Sequence, residues 1–318
     1  MDLIYTNFRR FDQGVLSAYA FDLSYGAEEN DFEVTVGADE PMLETGAFVY
    51  MEGTEYGGMI DGLNASTNSE TITYKGRTWH GIMNGKVIQP DSGEDYLVVS
   101  GDAHEVLSFL VARLGLSGMF VAAKELSGIY ISGYKFARYC KAYDGIRAML
   151  AAFGAKLKIA WQNRYVVLSA EPIVDYTDSP VDGDIATLSV ERYDNKVNHL
   201  ICLGKGELAA REVIHLYTDP FGGIGDVQTS TGLFEITDVF ENSNSEDLRS
   251  EGIERFTELL NTDKAEIAIP ETEGLTYDIG DIVGATEHKT GISVAAPVTQ
   301  KIVKIYNGVV STEYKTGG

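Results

Sequence analysis

The sequence predicts an α+β, predominantly β fold, with two antiparallel tube-like β-barrel domains flanking a small α+β domain. Three observations carry that prediction. Short alternating runs punctuated by glycine and acidic turns fill residues 1–100, the spacing of an all-β barrel or sandwich. The apolar period then becomes helical in SGDAHEVLSFLVARLG. Alternation resumes beyond an Asp- and Pro-rich stretch, EPIVDYTDSPVDGD at 171–184, and persists to the last residues. The expected division is an N-terminal β-barrel domain at 1–100, an α+β domain at 101–172, a linker at 173–184 and a C-terminal β-barrel domain with one helix at 185–318. A chain of 318 residues, 44% of them hydrophobic, exceeds what one core organises and can fill two or three.

In the first segment VLSAYAFDLSY (15–25), DFEVTV (31–36), AFVYMEG (47–53), YGGMIDGLNAS (56–66), ETITYKG (70–76) and WHGIMNGKVI (79–88) read as strands, and no helix is needed. DFEVTV alternates strictly, and ETITYKG puts Ile72 and Tyr74 on one face, as a half-buried antiparallel sheet requires. In the second segment Val106, Leu107, Leu110, Val111 and Leu114 form one stripe of a helix, which Asp102 and Glu105 start as a capping box and Gly115 ends. Another helix runs from about Tyr143 to Phe153, capped near Asp144, with Ile146, Met149, Leu150 and Phe153 inward and Gly154 as its stop. KLKIAW (156–161) and RYVVLSA (164–170) make a hairpin across Gln162-Asn163.

In the last segment ATLSVERYD, NHLICLGKGE and REVIHLYTD precede a helix from about Ser245 to Leu260, whose buried side is Leu248, Ile253, Phe256, Leu259 and Leu260. AEIAIPE and DIGDIVGA follow, with Gly280 and Gly284 permitting sharp turns. The chain finishes on a hairpin. Asn307-Gly308 suits a two-residue type I′ turn. It pairs Tyr306 with Val309, Ile305 with Val310, Lys304 with Ser311, Val303 with Thr312, Ile302 with Glu313 and Lys301 with Tyr314. Val303, Ile305, Val310 and Tyr314 then share an apolar face, and Lys301, Lys304, Glu313 and Lys315 are expected on the wetter one.

Composition narrows the function classes. Acidic residues number 48 and basic ones 25, a net charge of −23, which argues against tight sequence-independent binding to nucleic acid phosphates because few counterions would be released. An acidic wall lets DNA slide without sticking, although solubility alone accounts for such an excess. Cys140 and Cys202 lie far apart without a partner motif, which disfavours a disulfide framework or a Cys-rich zinc site and fits a reducing cytoplasm. No run of about 18 apolar residues is present to span a membrane, and MDLIYTNFRRFDQG lacks the apolar stretch of a signal peptide. Neither a membrane span nor standard secretion is expected.

Candidate chemistry is sparse. His104-Glu105 is half of a zinc-protease motif without the second histidine, and reads as a surface helix cap. Asp175, Asp178, Asp182 and Asp184 are interrupted by Pro180 and lack the glycine and closing glutamate of a calcium loop, so they read as a solvated linker. GGIGDV (222–227) has neither the strand nor the helix of a phosphate loop and reads as a turn. His80, His104, His199, His215 and His288 fall on separate elements with no Ser or Cys elbow, and read as structural or surface imidazoles. The carboxylates permit a paired glycosidase site without singling one out. Trp79 and Trp161 with 18 tyrosines permit a sugar platform, though such aromatics more often pack. No catalytic, cofactor-binding or metal-ligating residue is singled out, and no cofactor is expected.

From Ile185 onward the order NHLICLGKGE, TSTGLFEITDVFENSNSE, EDLRSEGIERFTELLN, EIAIPE, YDIGDIVGATEHKTGISVAAPVTQKIVKI and NGVVSTEYKTGG resembles the baseplate hub proteins of bacteriophage tails and related prophage particles. YDGIRAMLAAFGAKLKIAWQNRYVVLSAEP and WHGIMNGKVIQP are similar to that family too, so the likeness covers most of the chain. Its signals are structural patterns rather than catalytic motifs.

The resemblance implies a non-enzymatic virion protein assembled in the host bacterial cytoplasm. It implies a ring, usually a homotrimer, at the end of the tail tube, each subunit supplying two tube-like barrels. The implied neighbours are a tail tube or distal tail protein on one side and a spike or central fibre protein on the other. The channel would pass the tape-measure protein and then DNA, without specific binding. On this reading the terminal hairpin is a subunit-interface or channel-wall element, with Val303, Ile305, Val310 and Tyr314 buried and Lys304 and Glu313 wet. No further domain follows Gly318, so the cell-wall hydrolase fused to some hub proteins is not expected here. Two rival readings are a glycan hydrolase of the injection apparatus using paired carboxylates, and a carbohydrate-binding module.

Overall fold

A computed structural model describes residues 2–178, 187–191, 196–219, 222–260, 264–270, 276–287, 291–306 and 308–317. The fold is α+β and predominantly β. Its two compact units are Met1–Leu188 with Glu266–Gly318, and Ser189–Ala265.

The first unit opens with β1 (Leu3–Thr6), β2 (Asp12–Leu16), β3 (Tyr19–Gly26), β4 (Asp31–Gly37), β5 (Phe48–Tyr50), β6 (Gly57–Ala65) and β7 (Thr71–Thr78). These lie side by side in the order β3-β4-β7-β6-β5-β1-β2, every pair antiparallel. Alternation decides the inner face: Phe21, Leu23 and Tyr25 on β3 and Phe32, Val34 and Val36 on β4 are buried, while Asp22, Asp31 and Glu33 meet water. WHGIMN, expected as a strand, is the helix α1 (Trp79–Asn84). Thr78 caps it by accepting the Gly81 amide at 3.2 Å. The run from Trp79 to Met83 is buried at every position, which alternation along a half-wet strand cannot achieve.

The chain continues through β8 (Val87–Ile88), β9 (Val98–Asp102), α2 (Ala103–Arg113), β10 (Phe120–Ala122), β11 (Tyr130–Lys135), β12 (Cys140–Lys141), α3 (Ala142–Ala151), β13 (Ala155–Gln162) and β14 (Tyr165–Pro172). Asp102 caps α2 by accepting the His104 amide at 2.9 Å, and its other oxygen takes the Ser127 hydroxyl at 2.9 Å. The capping expected of Asp144 is not made. Lys141 is the α3 cap residue and has no side-chain bond there, while Asp144 sits in the first turn, where its charge suits the helix dipole. The β13–β14 turn is Asn163-Arg164, one residue later than expected, because Gln162 pairs with Tyr165. Both turn residues have positive φ, 51° and 69°, as a type I′ turn demands. Leu107, Leu110, Ile146, Leu150 and Val166 share one core with Phe48, Trp79 and Trp161. The boundary expected at residue 100 therefore runs through continuous packing.

After β15 (Thr187–Glu191) the second unit folds around its own core. Here β16 (His199–Leu203), β17 (Val213–Thr218), β18 (Ile224–Gly225) and β19 (Thr237–Glu241) form a sheet in the order β18-β17-β16-β19, with β19 parallel to β16. The helix α4 (Leu248–Leu260) packs Leu248 and Phe256 onto Leu200, Cys202 and Leu216. Ile253, expected inside, is 36% exposed. Gly252 holds the contact position instead: a Cβ there would lie 2.5 Å from Cys202 Sγ, so the helix approaches the sheet more closely than any side chain allows.

The first unit is completed by β20 (Lys264–Pro270), β21 (Ile282–Glu287), β22 (Ile292–Tyr306) and β23 (Val309–Thr316). β22 pairs with β3 from Gln300 opposite Gly26 to Tyr306 opposite Ala20. The sheet thus continues as β20-β23-β22-β3, and strand pairing crosses the expected boundary at 185. Hydrogen bonding has the last word here, since the backbone edge of β3 needs a partner wherever in the chain it lies. Gly280 turns the chain with φ 102°, whereas Gly284 lies inside β21 and makes no turn. Part of the expected linker is ordered against that strand: the Tyr176 amide donates to the Ile282 carbonyl at 2.8 Å and the Ile282 amide to the Val174 carbonyl at 3.0 Å. Pro180, Asp182, Asp184, His288 and Asn307 lie outside the described residues.

Candidate functional site

The terminal hairpin adopts the expected register: Ile305 faces Val310, Lys304 faces Ser311, Ile302 faces Glu313 and Lys301 faces Tyr314. Gly308 takes φ 82° at the turn. Val303, Ile305 and Tyr314 are buried in the chain's own core and Val310 is half-buried against it, while Lys304, Glu313 and Lys315 are exposed. Lys301 breaks the expectation. It shares parity with Val303 and Ile305, and its side chain is only 7% exposed.

Burial is offset by a partner. Lys301 Nζ lies 2.6 Å from Glu55 Oε1, in the loop between β5 and β6, and 5.9 and 5.6 Å from the ring centroids of Tyr56 and Tyr314. Burial opposes the charge on Lys301, yet the Glu55 carboxylate outweighs it and raises the lysine above its ordinary value. Burial likewise opposes the Glu55 charge, and Lys301 and then His80 overcome that to lower the carboxyl. His80 Nε2 stands 4.0 Å from Glu55 Oε2. Its ring stacks on Tyr25 with centroids 4.2 Å apart and planes 3° from parallel. Burial pushes His80 down to about 4 despite the attraction of Glu55. Lys301, Glu55, His80 and Tyr25 lock the C-terminal strand onto the N-terminal sheet, and the parity of Lys301 is the signal in the sequence that points to them.

The outward face of the same sheet is ordered by charge. Lys304 stands opposite Asp22, Asp22 opposite Glu33, and Glu33 opposite Lys75, with which it forms an ion pair. The next row carries Glu313, Ile302, Ser24, Asp31 and Arg77, whose guanidinium holds Asp61 at 2.7 Å. Acidic side chains outnumber basic ones across these rows. This face is wet, and opposite charges stand across the strands at Lys304–Asp22 and Glu33–Lys75.

A second buried charge cluster fixes the turn before β21. Lys156 Nζ is 2.8 Å from Asp281 Oδ1 and 2.9 Å from Asp278 Oδ2, and Lys158 Nζ also reaches Asp278 at 2.9 Å. Asp281 additionally accepts the amides of Val174 and Asp278, each at 2.9 Å. Beside it lies a cleft of about 840 Å³ walled by Ala148, Ala151, Leu157, Ile173, Ala296 and Val298.

The histidines are less scattered than expected. In the second unit His199 Nδ1 meets Glu235 Oε1 at 2.7 Å and His199 Nε2 meets His215 Nδ1 at 2.8 Å. His104 is no surface cap: its Nδ1 bonds the Glu125 carbonyl at 2.6 Å and its Nε2 accepts the Ala170 amide at 3.0 Å, pinning α2 to β14. Trp79 and Trp161 stack on one another inside the core, with centroids 5.1 Å apart and neither exposed as a platform. Among the described residues no group of three or more His, Cys, Asp and Glu is placed to hold a metal ion. Among the same residues no helix is long and apolar enough to cross a membrane.

This architecture is that of phage tail and baseplate proteins. The prophage tail protein gp18 from Listeria monocytogenes EGD-e superposes with a TM-score of 0.57 at 13% identity, covering 100% of this chain and 94% of that one. The 43 kDa tail protein of prophage MuSo2 from Shewanella oneidensis gives 0.56 at 12% identity, over 99% and 98%. A chain of the phage P2 baseplate in its activated conformation gives 0.55 at 10% identity, over 100% and 99%. No protein-family model and no curated protein matches the sequence.

Proposed function

We propose that this chain is a structural, non-catalytic subunit of a phage-type tail baseplate, a hub that closes with copies of itself into a trimeric ring at the end of the tail tube. The observation that carries the reading is the end-to-end likeness in fold to tail and baseplate proteins. Within the subunit, Val303, Ile305, Val310 and Tyr314 anchor the terminal hairpin, and Lys304 and Glu313 stand on the face free to line a channel or a subunit seam. The acidic rows of that face suit a conduit, because DNA and the tape-measure protein would pass without phosphates adhering. A tail tube or distal tail protein and a spike or central fibre protein would bind the two ends of the ring. The protein would then reside in the virion after assembly in the host cytoplasm.

A density map of the assembled particle tests this. Three copies encircling the tail axis are expected. A position away from the axis, or copies that do not close, refutes the ring. Release of peptidoglycan fragments by the purified chain, abolished by substituting one carboxylate, refutes the non-catalytic assignment.

A further inference from the structure

The loop between β1 and β2, NFRRF at 7–11, concentrates cations and aromatics on a chain of net charge −23. Its conformation is built rather than loose. Asn7 Oδ1 accepts the amides of Arg9 and Phe11 at 2.9 and 3.1 Å, the Asn7 amide donates to the Phe11 carbonyl at 3.0 Å, and the Phe8 amide donates to Glu44 Oε2 at 3.0 Å. Phe8 and Phe11 are nonetheless 59% and 56% exposed. Arg9 stacks over Phe8 at 5.4 Å. From the β13–β14 turn, Arg164 stacks over Phe11 at 5.7 Å and donates to the Arg10 carbonyl at 3.1 Å, with the exposed ring of Tyr165 next to it in sequence. Arg9, Arg10 and Arg164 are all exposed, and none forms an ion pair with a described residue.

Large exposed aromatics held rigidly beside unneutralised guanidinium groups are the composition of an interface hot spot, not of a solvated face. We propose that this patch docks a segment of another protein that carries carboxylates spaced by apolar side chains. Charge complementarity selects the acid, since Arg9 and Arg164 stand together without a carboxylate partner among the described residues, while Arg10 is turned toward the Phe48 ring and the Gly118 carbonyl. The exposed phenylalanines select the apolar spacing. A nucleic acid fits less well because the loop's surroundings include Glu44, Asp12 bound to the Tyr50 hydroxyl at 2.9 Å, and Glu52 accepting the Asn163 amide at 3.1 Å. A phosphate chain longer than the arginine cluster would meet these carboxylates. The proposal stands or falls independently of ring formation.

Fluorescence anisotropy with the full chain tests it, using a fluorescein-labelled peptide that alternates glutamate with phenylalanine as the probe. Saturable binding is expected, weakened by added salt and reduced about tenfold by Arg9→Glu and by Phe11→Ser. Arg9→Glu is the decisive variant, because the Arg9 side chain is exposed and lies over the exposed Phe8, so its melting temperature is expected to match that of the wild type. Absence of binding to the wild-type chain overturns the proposal, as does equal affinity of Arg9→Glu. Displacement of the peptide by oligothymidylate at equal or lower concentration also overturns it and assigns the patch to nucleic acid.

Discussion

Lys301→Met removes a cation from the core while keeping most of its volume, and leaves Glu55 facing the lost charge. Lys301 is 7% exposed and Glu55 20%, so solvent screens the pair weakly. Breaking a buried ion pair from one side costs about 3–5 kcal/mol. The lower end is expected, because His80 at 4.0 Å can take up a proton and restore part of the compensation. Glu55→Gln strands the lysine instead and should cost a similar amount. The double variant leaves no unpaired charge, and should return to within about 1 kcal/mol of wild type, since removing a whole buried pair is often neutral. Urea unfolding followed by tryptophan fluorescence reports on the right unit, because both tryptophans, Trp79 and Trp161, stack within it. Midpoints at unchanged slope give the free energies. Additive costs in the double variant would show that the two side chains act separately, and would refute the lock between β22 and the N-terminal sheet.

Three further outcomes follow from the same geometry. His80 titrates near 4 in the folded chain against an ordinary value of 6.5, so the unfolded chain binds a proton first as the pH falls. Stability should decline between those values by up to about 3 kcal/mol, and urea midpoints of His80→Phe should lose that slope; an unchanged slope refutes the assignment. Gly252→Val drives a side chain onto Cys202 Sγ and should cost about 1–3 kcal/mol in the second unit, read as faster labelling of the buried Cys202 thiol; unaltered labelling contradicts the tight approach. Asp281→Asn leaves Lys156 with Asp278 alone and should destabilise by about 2 kcal/mol, with Lys156→Met in the same background recovering much of the loss; no recovery means that the carboxylate serves the Val174 and Asp278 amides rather than the lysine.

Local periodicity made much of this fold legible. DFEVTV and the terminal hairpin alternate at period two, and Gly308 sits where a positive φ is required, so face and register followed from the residues. The stripe of α2 was visible for the same reason. Elements lacking a period were not. Six residues of α1 are too few to display one, and their signal is the Thr78 cap ahead of Trp79, Ile82 and Met83. The His199–His215 contact depends on a diagonal in the β16–β17 register, which follows from a loop length rather than from either strand alone. Charge places Lys301 outside and parity places it inside; parity prevails, because a buried lysine is tolerable wherever a carboxylate waits for it. Above all, nothing in LSAYAFDLSY or QKIVKIY specifies that they will meet.

That meeting governs how the molecule is held together. β3 lies between β4, its neighbour in sequence, and β22, which arrives some 270 residues later. Until then β3 presents a backbone edge, and its buried face of Phe21, Leu23 and Tyr25 lacks Val303 and Ile305. The Lys301–Glu55 pair, the Tyr25–His80 stack and the Gln300 side chain, which donates to Ser24 Oγ at 2.7 Å and accepts the Glu28 amide at 3.0 Å, all fall along this one seam. Apolar alternation alone would tolerate a slip of β22 by two residues, because every such register keeps the same face inward. A buried charge does not, since a slipped Lys301 would lie in the core without Glu55. The polar contacts therefore select one register for a strand pair that loop length cannot dictate, and the outward rows containing Lys304, Asp22, Glu33 and Lys75 inherit their alignment from it.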